Sequence, residues 1–340
     1  MTEDFKTLEF KNGKLVLIDQ RKLPSSLEYA EASSVEDVYF AIKDMIVRGA
    51  PLIGAVAAYG AYFAAVEAKG DKNVFNKKLS YLLSSRPTAV NLSWALERQK
   101  RIAENTGLDP SALLKEALAI EDEDRKVNRK LSRYGSEVIK ENANVLTHCN
   151  AGALATCGWG TALGVIKEAY CQGKNIHVYA DETRPRLQGA RLTSWELVRA
   201  GIPATLIPDS AAATLIREGK IDVIVLGADR ITLNGDVANK LGTFPLSIIA
   251  KEYNIPFYSA APISTIDFSL EEGKDIPIEE RSKDEVIKIE DYYVAPKEII
   301  VFNPSFDVTP HENITGIITE QGIIYPPFKE NILKLKKELC

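Results

Sequence analysis

A thiol and a carboxylate each follow a strand-like segment of the chain. Asp229 comes after residues 221–227, a largely apolar stretch typical of a strand buried on both faces of a parallel sheet. Cys149 follows a second such segment, residues 144–148. Because ligand crevices form at the carboxyl edge of open α/β sheets, we expect both side chains at one crevice. A partly buried aspartate there is a candidate proton carrier, and a thiol is a candidate base or nucleophile.

The alternative for Cys149 is a packing role, since a lone cysteine at a strand end is more often a small buried hydrophobic residue. Its predicted position on the same sheet edge as Asp229 favours a catalytic role for Cys149. His148 is interpreted as a core or supporting residue rather than a base, because strand alternation points it away from Cys149. Cys157 and Cys171 fall in a predicted helix and are interpreted as packing residues.

Two arginines precede predicted helices. Arg48 stands with Gly49 and Ala50 at one helix start, and Arg86 stands ahead of another. Backbone N–H groups at a helix start, beside a guanidinium, form an anion site. The two segments together suggest a phosphate held by more than one element. The alternative is a pair of ordinary helix starts, the second capped by Thr88.

Two further polar segments follow predicted strands. Residues 180–189 contain two arginines, two acidic residues and Gln188, which could bind a ligand or form an internal ion-pair network. In residues 234–243, Lys240 can place a cation near an anionic substrate, and Asn239 can hydrogen-bond a hydroxyl. The alternative for this second segment is a turn built on its Asn-Gly dipeptide.

No cofactor or metal is expected. The glycines of residues 158–164 do not fit a dinucleotide loop, because the third glycine comes one position late and Trp159 lies where a pyrophosphate must approach. The four cysteines include no CxxC pair, and with three histidines elsewhere a zinc site is not expected.

The elements that position these residues change character along the chain. Residues 8–19 alternate around an Asn-Gly dipeptide, which is typical of a β-hairpin. Residues 33–142 have helical periodicity, and Ser34 is the expected cap of the first helix. The predicted helices are 35–42, 53–68, 72–84, 89–105 and 110–142.

From residue 144, strands and helices alternate, which predicts a doubly wound, mostly parallel sheet. The predicted strands are 145–148, 176–180, 204–207, 223–227, 257–260 and 299–302. Residues 262–288 are polar and are predicted to form a long loop over the sheet edge. We therefore predict an α/β chain with two domains. The first, 1–143, is a helical N-terminal domain with a short β-hairpin, and the second, 144–340, carries the sheet.

Composition narrows the classes of protein that fit. The chain has 340 residues, 45% of them hydrophobic, enough for about two globular domains. A formal net charge of −5 does not indicate a protein that binds nucleic acid or an anionic membrane surface, since such proteins usually carry an excess of positive charge. We expect no apolar run near the roughly 20 residues that span a bilayer. The first residues lack the features of a signal peptide, so a cytoplasmic protein with reduced thiols is expected.

Several segments together resemble one family, the S-methyl-5-thioribose-1-phosphate isomerases of methionine salvage. This family is grouped with ribose-1,5-bisphosphate isomerases and with regulatory subunits of a translation-initiation guanine-exchange factor. The most specific segments are THCNAGALAT at 147–156, DETRPRLQGARLT at 181–193 and GADR with NGDVANKLGT within 227–243. The full set of matching segments is 48–60, 86–92, 147–164, 180–195, 227–242, 256–267 and 303–319.

The resemblance implies a cofactor-free aldose-to-ketose isomerisation of a small sugar phosphate. It also implies a Rossmann-like C-terminal domain and a homodimer. On this sequence, Cys149 and Asp229 correspond to the catalytic pair. The implied substrate contacts are Arg48, Gly49, Ala50, Arg86, Gln188, Asn239 and Lys240.

Two alternatives stay open. The first is an isomerase of ribose-1,5-bisphosphate or of another 5-deoxyribose 1-phosphate. The second is a non-catalytic regulatory binding subunit, against which the presence of both Cys149 and Asp229 counts.

Overall fold

The chain divides into two compact units. The computed structural model describes residues 5–87 and 89–339, the side chain of Leu339 excepted; the predicted cap Thr88 lies outside them. Unit 1 comprises Met1–Arg129 and Ala151–Gly160, and unit 2 comprises Lys130–Asn150 and Thr161–Cys340. The predicted domains, 1–143 and 144–340, differ from these units in residues 130–143 and 151–160.

Unit 1 begins with a small antiparallel sheet. Strands β1 (Leu8–Lys11) and β2 (Lys14–Ile18) form the expected hairpin. Asn12 and Gly13 in its turn have φ values of 54° and 76°, the left-handed conformation that a two-residue hairpin loop requires. A strand absent from the prediction, β3 (Tyr29–Ala32), pairs with β2.

The helical periodicity of the first part of the chain is confirmed. Ser34 caps the first helix, as predicted, by accepting a hydrogen bond of 3.1 Å from the backbone N–H of Asp37. The helices, in chain order, are α1 (Val35–Lys43), α2 (Ala50–Ala68), α3 (Lys72–Leu83), α4 (Val90–Thr106) and α5 (Pro110–Ser136).

Helix α2 corrects one expectation. By length and composition it could cross a membrane, so the expectation that no apolar run approaches such a length is wrong. Most of α2 is buried, and residues around its whole circumference belong to the hydrophobic core of unit 1. This burial is that of a core helix.

Unit 2 contains the predicted alternation of strands and helices. Its strands, in chain order, are β4 (Asn144–Thr147), β5 (His177–Asp181), β6 (Ala204–Ile207), β7 (Val223–Leu226), β8 (Arg230–Ile231), β9 (Val237–Lys240), β10 (Phe257–Ala260), β11 (Lys288–Ile289), β12 (Tyr292–Tyr293), β13 (Phe306–Thr309), β14 (Gly316–Thr319) and β15 (Gly322–Ile324). Its helices are α6 (Ala162–Cys171), α7 (Ser194–Arg199), α8 (Ala211–Arg217), α9 (Thr243–Glu252), α10 (Asp284–Ile287) and α11 (Phe328–Leu339).

The main sheet confirms the predicted doubly wound architecture. Its strand order is β15-β14-β10-β7-β4-β5-β6, and every neighbouring pair is parallel except β14 with β15. From β4 the chain moves outward through β5 and β6, and then crosses to β7, β10 and β14 on the other side. This is the strand order of a Rossmann sheet, in which the direction of winding reverses between the first and fourth strands, here β4 and β7.

The strand predicted at 299–302 is wrong. These residues, all described, form no strand, and the side chains of Ile300 and Phe302 are 95% and 82% exposed. The last parallel strand is instead β14, where Ile317 and Ile318 are fully buried. Two short apolar runs lie close together in the sequence here, and apolar character alone does not indicate which of them finds a hydrogen-bonding partner.

The predicted long loop at 262–288 contains more regular structure than expected. It includes two short 3₁₀ turns, Ile263–Thr265 and Gly273–Asp275, and helix α10.

A small three-stranded sheet of unit 2, β13-β9-β8, was also absent from the prediction. It positions the segment that follows Asp229.

Candidate active site

Cys149 and Asp229 follow adjacent strands at one edge of the main sheet. Strands β4 and β7 pair in parallel, with Val145 opposite Val223 and Leu146 opposite Ile224. Both side chains therefore belong to the carboxyl ends of the two strands between which the winding reverses. In open α/β sheets this is where the ligand crevice forms.

The backbone of Cys149 is held in an unusual conformation. Its φ of 64° lies in the left-handed region, which a residue with a side chain rarely adopts. Its N–H donates to the hydroxyl of Thr183 at 2.8 Å, and its carbonyl accepts from the hydroxyl of Thr193 at 2.6 Å. The half-buried thiol is thus presented by a backbone that two buried threonines fix on both sides.

Thr183 is itself fixed by the strand next to its own. The carboxylate of Asp209, just beyond β6, accepts hydrogen bonds of 2.7 Å from the backbone N–H groups of both Thr183 and Arg184. The φ of Thr183 is 65°, so this loop is also in the left-handed region. Hydrogen bonds therefore connect the end of β6, at Asp209, to the end of β5, at Thr183, and the end of β5 to Cys149 after β4.

A buried ion pair contacts the residue after Cys149. The ammonium of Lys167 contacts the carboxylate of Glu196 at 2.9 Å, with both side chains at most 3% exposed. The second carboxylate oxygen of Glu196 accepts from the amide of Asn150 at 2.9 Å. Asn150 therefore serves as a structural anchor.

His148 is buried and bonded through both ring nitrogens. Nδ1 lies 2.8 Å from a carboxylate oxygen of Asp181, and Nε2 lies 2.9 Å from the carbonyl oxygen of Leu241. Burial lowers the pKa of His148, but the hydrogen bond and charge of Asp181 outweigh it and raise that pKa to about 9. Burial raises the pKa of Asp181. The imidazole is a supporting residue here, as the strand alternation predicts.

Asp229 lies where β7 passes into the small sheet. Its backbone N–H donates to the carbonyl of Ala238 at 2.9 Å, while the β8–β9 ladder pairs Ala238 with Arg230. Two consecutive residues thus oppose one, the pattern of a β-bulge, a feature that often re-aims side chains at active sites. The carboxylate of Asp229 is partly buried, and the next residue of β9 after Ala238 is Asn239.

Asn239 and Lys240 belong to β9. They come directly after Ala238, whose carbonyl accepts the hydrogen bond from Asp229. The buried amide of Asn239 donates to the hydroxyl of Thr243 at 3.0 Å. The ammonium of Lys240 donates to the carbonyl of Ser305 at 2.7 Å and lies 4.5 Å from the ring centroid of Phe306. The Asn-Gly turn that was the alternative for this segment is present as well, just before β9.

Gln188 combines burial with an unused acceptor. Its side chain is 8% exposed, and its Oε1 has no hydrogen-bond partner in the part of the chain that the structure describes. The following residue, Gly189, lies so close to the end of β5 that a Cβ there would come within 1.7 Å of the Asp181 carbonyl oxygen. A buried amide oxygen without a partner is costly, which indicates a ligand group at this position.

The ion-pair network that was the alternative for this loop is also present. Arg186 pairs with Glu285 at 2.8 Å, and Arg281 bonds the same carboxylate at 2.9 Å. Arg184 donates to the carbonyl of Val286 at 2.9 Å. The arginines of the loop therefore bind the segment around α10, while Gln188 remains available.

The residues of the predicted anion site belong to unit 1. Gly49 precedes α2 with a φ of 98°, and a Cβ there would lie 2.4 Å from the carbonyl oxygen of Ala155, so no other residue fits. The first turns of α2 and α4 touch, because a Cβ on Gly54 would lie 3.0 Å from the carbonyl oxygen of Asn91. Among the described residues, no side chain caps either helix start.

The structure thus brings Arg48, Gly49, Ala50 and Arg86 to two touching helix starts. Both helices direct the positive ends of their dipoles there, and Arg48 and Arg86 precede these helices in the chain. This arrangement suits a phosphate.

Among the described residues, two groups of side chains have spacings that could suit a metal ion. They are His148, Asp181 and Asp209, and Asp236, His311 and Glu312. The carboxylates of Asp209 and Asp236 already accept several backbone and side-chain hydrogen bonds. Both groups are therefore interpreted as hydrogen-bonded clusters within the fold.

Comparison with known proteins gives a consistent result. Residues 46–326 match the Initiation factor 2 subunit family. The methylthioribose-1-phosphate isomerase of Thermoanaerobacter sp. (strain X514) is 63% identical, covering 98% of this chain and 100% of the relative. The enzyme of the same name from Caldicellulosiruptor saccharolyticus is 58% identical over 98% of this chain and 100% of the relative.

Solved structures agree on the fold. The 5-methylthioribose 1-phosphate isomerase of Pyrococcus horikoshii OT3 has a TM-score of 0.93 at 46% identity, covering 99% of this chain and 97% of that chain. The translation initiation factor eIF-2B, subunit delta, from A. fulgidus has a TM-score of 0.88 at 44% identity, covering 98% and 100%. From the match over most of its length and these identities, the chain belongs to the Initiation factor 2 subunit family.

Proposed function

We propose that the chain is an aldose–ketose isomerase of methionine salvage that converts 5-methylthioribose 1-phosphate into 5-methylthioribulose 1-phosphate. Two relatives that carry the name of this enzyme are 63% and 58% identical to the chain over 98% of its length. The observation that carries the proposal is that Cys149 and Asp229 follow two adjacent strands between which the winding of the sheet reverses. A thiol and a carboxylate at that edge suit proton transfer on a small substrate.

Binding roles follow from the charges. Arg48, Gly49, Ala50 and Arg86 bind the phosphate through guanidinium and backbone N–H groups. Lys240 supplies a further cation for the anionic substrate. Gln188 and Asn239 bind hydroxyl groups of the sugar, which gives the buried Oε1 of Gln188 a donor.

The reaction needs the furanose ring to open while the phosphate stays on C1. Asp229 donates a proton to the ring oxygen as the bond between that oxygen and C1 breaks. Hydrogen then moves from C2 to C1, assisted by Cys149, and loss of the O2 proton leaves the ketone at C2. The proton count is restored when Asp229 is reprotonated. Transfer through an enediol and direct hydride transfer both satisfy these roles.

A non-catalytic binding subunit is the second candidate, since the subunit delta structure is 44% identical to this chain. Such a subunit needs neither a thiol nor an acid at the sheet edge. The occurrence of both Cys149 and Asp229 there favours the enzyme.

The test is a parallel assay of 5-methylthioribose 1-phosphate and ribose-1,5-bisphosphate in deuterated water. We expect turnover of the thiosugar and its loss in Asp229→Asn, with the control variant Asp122→Asn unaffected. Deuterium at C1 of the product indicates proton transfer, and its absence indicates hydride transfer. Turnover of ribose-1,5-bisphosphate alone would mean that the proposed substrate is wrong. Turnover of neither compound would favour the non-catalytic binding subunit.

We also propose a homodimer that works in the cytoplasm. Unit 2 exposes large apolar side chains within a short segment, with Tyr292, Ile300 and Phe302 each at least 75% exposed. Contiguous exposed apolar residues mark interaction surfaces. Light scattering of the purified chain should give twice the mass of one chain, and a monomer would contradict this.

A further inference from the structure

We propose that His148 is a positioning residue, which holds Cys149 and the turn after Lys240 in place by donating a hydrogen bond from each ring nitrogen. The inference rests on the roles proposed above for Cys149 and Lys240. His148 does not enter the reaction itself. Its ring joins the strand that presents the thiol to the turn that follows the substrate-binding strand.

The two acceptors define where the ring hydrogens are. The carbonyl oxygen of Leu241 can only accept, so Nε2 carries a hydrogen and donates it over 2.9 Å. On the other side, Nδ1 lies 2.8 Å from the carboxylate of Asp181. A charged imidazole facing an ionised carboxylate satisfies both contacts, whereas a neutral ring with the hydrogen on Nε2 would turn a lone pair toward that carboxylate.

The turn after Lys240 is folded directly onto the ring. Gly242 has a φ of 108°, and a Cβ there would lie 2.8 Å from Cε1 of His148. In the same turn, the N–H groups of Gly242 and Phe244 donate to the carboxylate of Asp307 at 2.7 and 3.0 Å. The start of α9 is therefore held by contacts to both the imidazole and Asp307.

Several acidic groups interact electrostatically with the ring and favour its protonated form. Asp181 on β5 is the strongest, and Cys149 and Asp209 act in the same direction. Asp307, on β13, interacts electrostatically with the ring as well. Together they outweigh burial and raise the pKa of His148 to about 9, so the ring is charged at neutral pH.

The pH dependence follows from this balance. Above its pKa the ring loses one hydrogen and keeps the other on Nε2 for Leu241, so the bond to Asp181 is broken. We therefore expect turnover to fall as pH rises through about 9. In Asp181→Asn the new amide group can donate to Nδ1 of a neutral ring, and both contacts survive.

The first experiment observes the ring directly. Because the sequence contains three histidines, the double variant His177→Gln and His311→Gln leaves His148 as the only imidazole. In nitrogen-15 NMR of the full chain at neutral pH, we expect two ring N–H signals. A single ring N–H signal, or titration near the ordinary histidine pKa of about 6.5, would overturn the proposal.

The second experiment compares turnover of 5-methylthioribose 1-phosphate in three proteins. We expect the alkaline fall of kcat in the wild type to be absent in Asp181→Asn. His148→Asn retains a donor toward Asp181 but loses the bond to Leu241, so its kcat should be lower by roughly 10- to 100-fold at every pH. Wild-type kcat in His148→Asn, or the same alkaline fall in Asp181→Asn, would overturn the proposal.

The two experiments separate this inference from the proposed function. A wild-type chain that does not isomerise the thiosugar phosphate contradicts the function, and the NMR signals still decide the hydrogen bonding of the ring. An active wild type with one ring N–H contradicts the role of His148 alone.

Discussion

The hydroxyl of Thr193 donates a hydrogen bond of 2.6 Å to the carbonyl oxygen of Cys149. Thr193 is fully buried, and its oxygen also accepts from the amide of Asn150 at 3.2 Å. A left-handed backbone at a residue with a side chain costs of order 1–3 kcal/mol, so it persists only where neighbours enforce it. Thr193 is one of those neighbours.

Thr193→Val should damage both stability and turnover. Valine keeps the shape of threonine but leaves the Cys149 carbonyl and the Asn150 amide without this partner. We expect the free energy of unfolding to fall by about 1–3 kcal/mol. We expect kcat to fall by roughly 10- to 100-fold, because the thiol shifts from its position. Urea denaturation and initial rates measure the two effects.

Thr193→Ser is the matched control, since serine restores the hydroxyl and should restore most of both quantities. Wild-type kcat in Thr193→Val would mean that the Cys149 backbone keeps its conformation without this bond.

Replacing the thiol tests Cys149 directly. Among the cysteines that the structure describes, Cys149 is half-buried, Cys157 is buried and Cys171 is exposed. Cys149→Ala should lower kcat by roughly 10²- to 10⁴-fold, the usual contribution of a positioned acid or base. Its circular dichroism should match that of the wild type.

Cys171→Ser removes a thiol outside the proposed site and should leave kcat unchanged. An active Cys149→Ala would remove the thiol from the mechanism and leave Asp229 as the only proposed proton carrier.

The sheet edge could be predicted from sequence because its determinants are local. Strands β6 and β10 were predicted at their observed bounds, since short apolar runs flanked by glycine or proline define them. The strand predicted at 299–302 was wrong because pairing decides between neighbouring apolar runs. The position of Cys149 and Asp229 at one edge follows from parallel winding alone.

The supporting contacts of the site could not be predicted, because they join distant parts of the chain. His148 and Leu241 are 93 residues apart, and Asn150 and Glu196 are 46 apart. Periodicity shows which face of an element is buried, but it does not show which buried polar groups meet. The mixed outcome for residues 180–189, with arginines in ion pairs and Gln188 available, has the same cause.

Arg48 and Arg86 should control phosphate binding. The variants Arg48→Gln and Arg86→Gln each remove one positive charge from the proposed phosphate site. A hydrogen bond to a charged group is worth about 1.5–3 kcal/mol. We therefore expect KM to rise by roughly 10- to 100-fold for either variant. Isothermal titration with inorganic phosphate should show a matching loss of affinity.

The control is Arg101→Gln, which removes an exposed guanidinium from α4. It should leave KM and phosphate affinity unchanged. Equal losses in all three variants would indicate a general effect of net charge rather than a site.

Asp124 should make the stability of the chain depend on pH. Its carboxylate accepts a hydrogen bond of 2.7 Å from the N–H of Cys157, and burial raises its pKa to about 6. Because the folded pKa lies above the unfolded value of about 3.9, protonated Asp124 favours the fold. The contribution of protonated Asp124 to the free energy of unfolding is fully present below about pH 4. It is lost as pH rises through about 6, and the total loss is up to roughly 3 kcal/mol.

Asp124→Asn removes this titration and keeps an acceptor for Cys157. Relative to the wild type, we expect its free energy of unfolding to increase between about pH 4 and 7 and to level off above that. Urea denaturation of both proteins across this range measures the difference, in which all other titrating groups cancel. Asp122→Asn, an exposed aspartate of the same helix, reports the effect of removing one surface charge. A constant difference between wild type and Asp124→Asn would mean that Asp124 has the same pKa in the folded and unfolded chain.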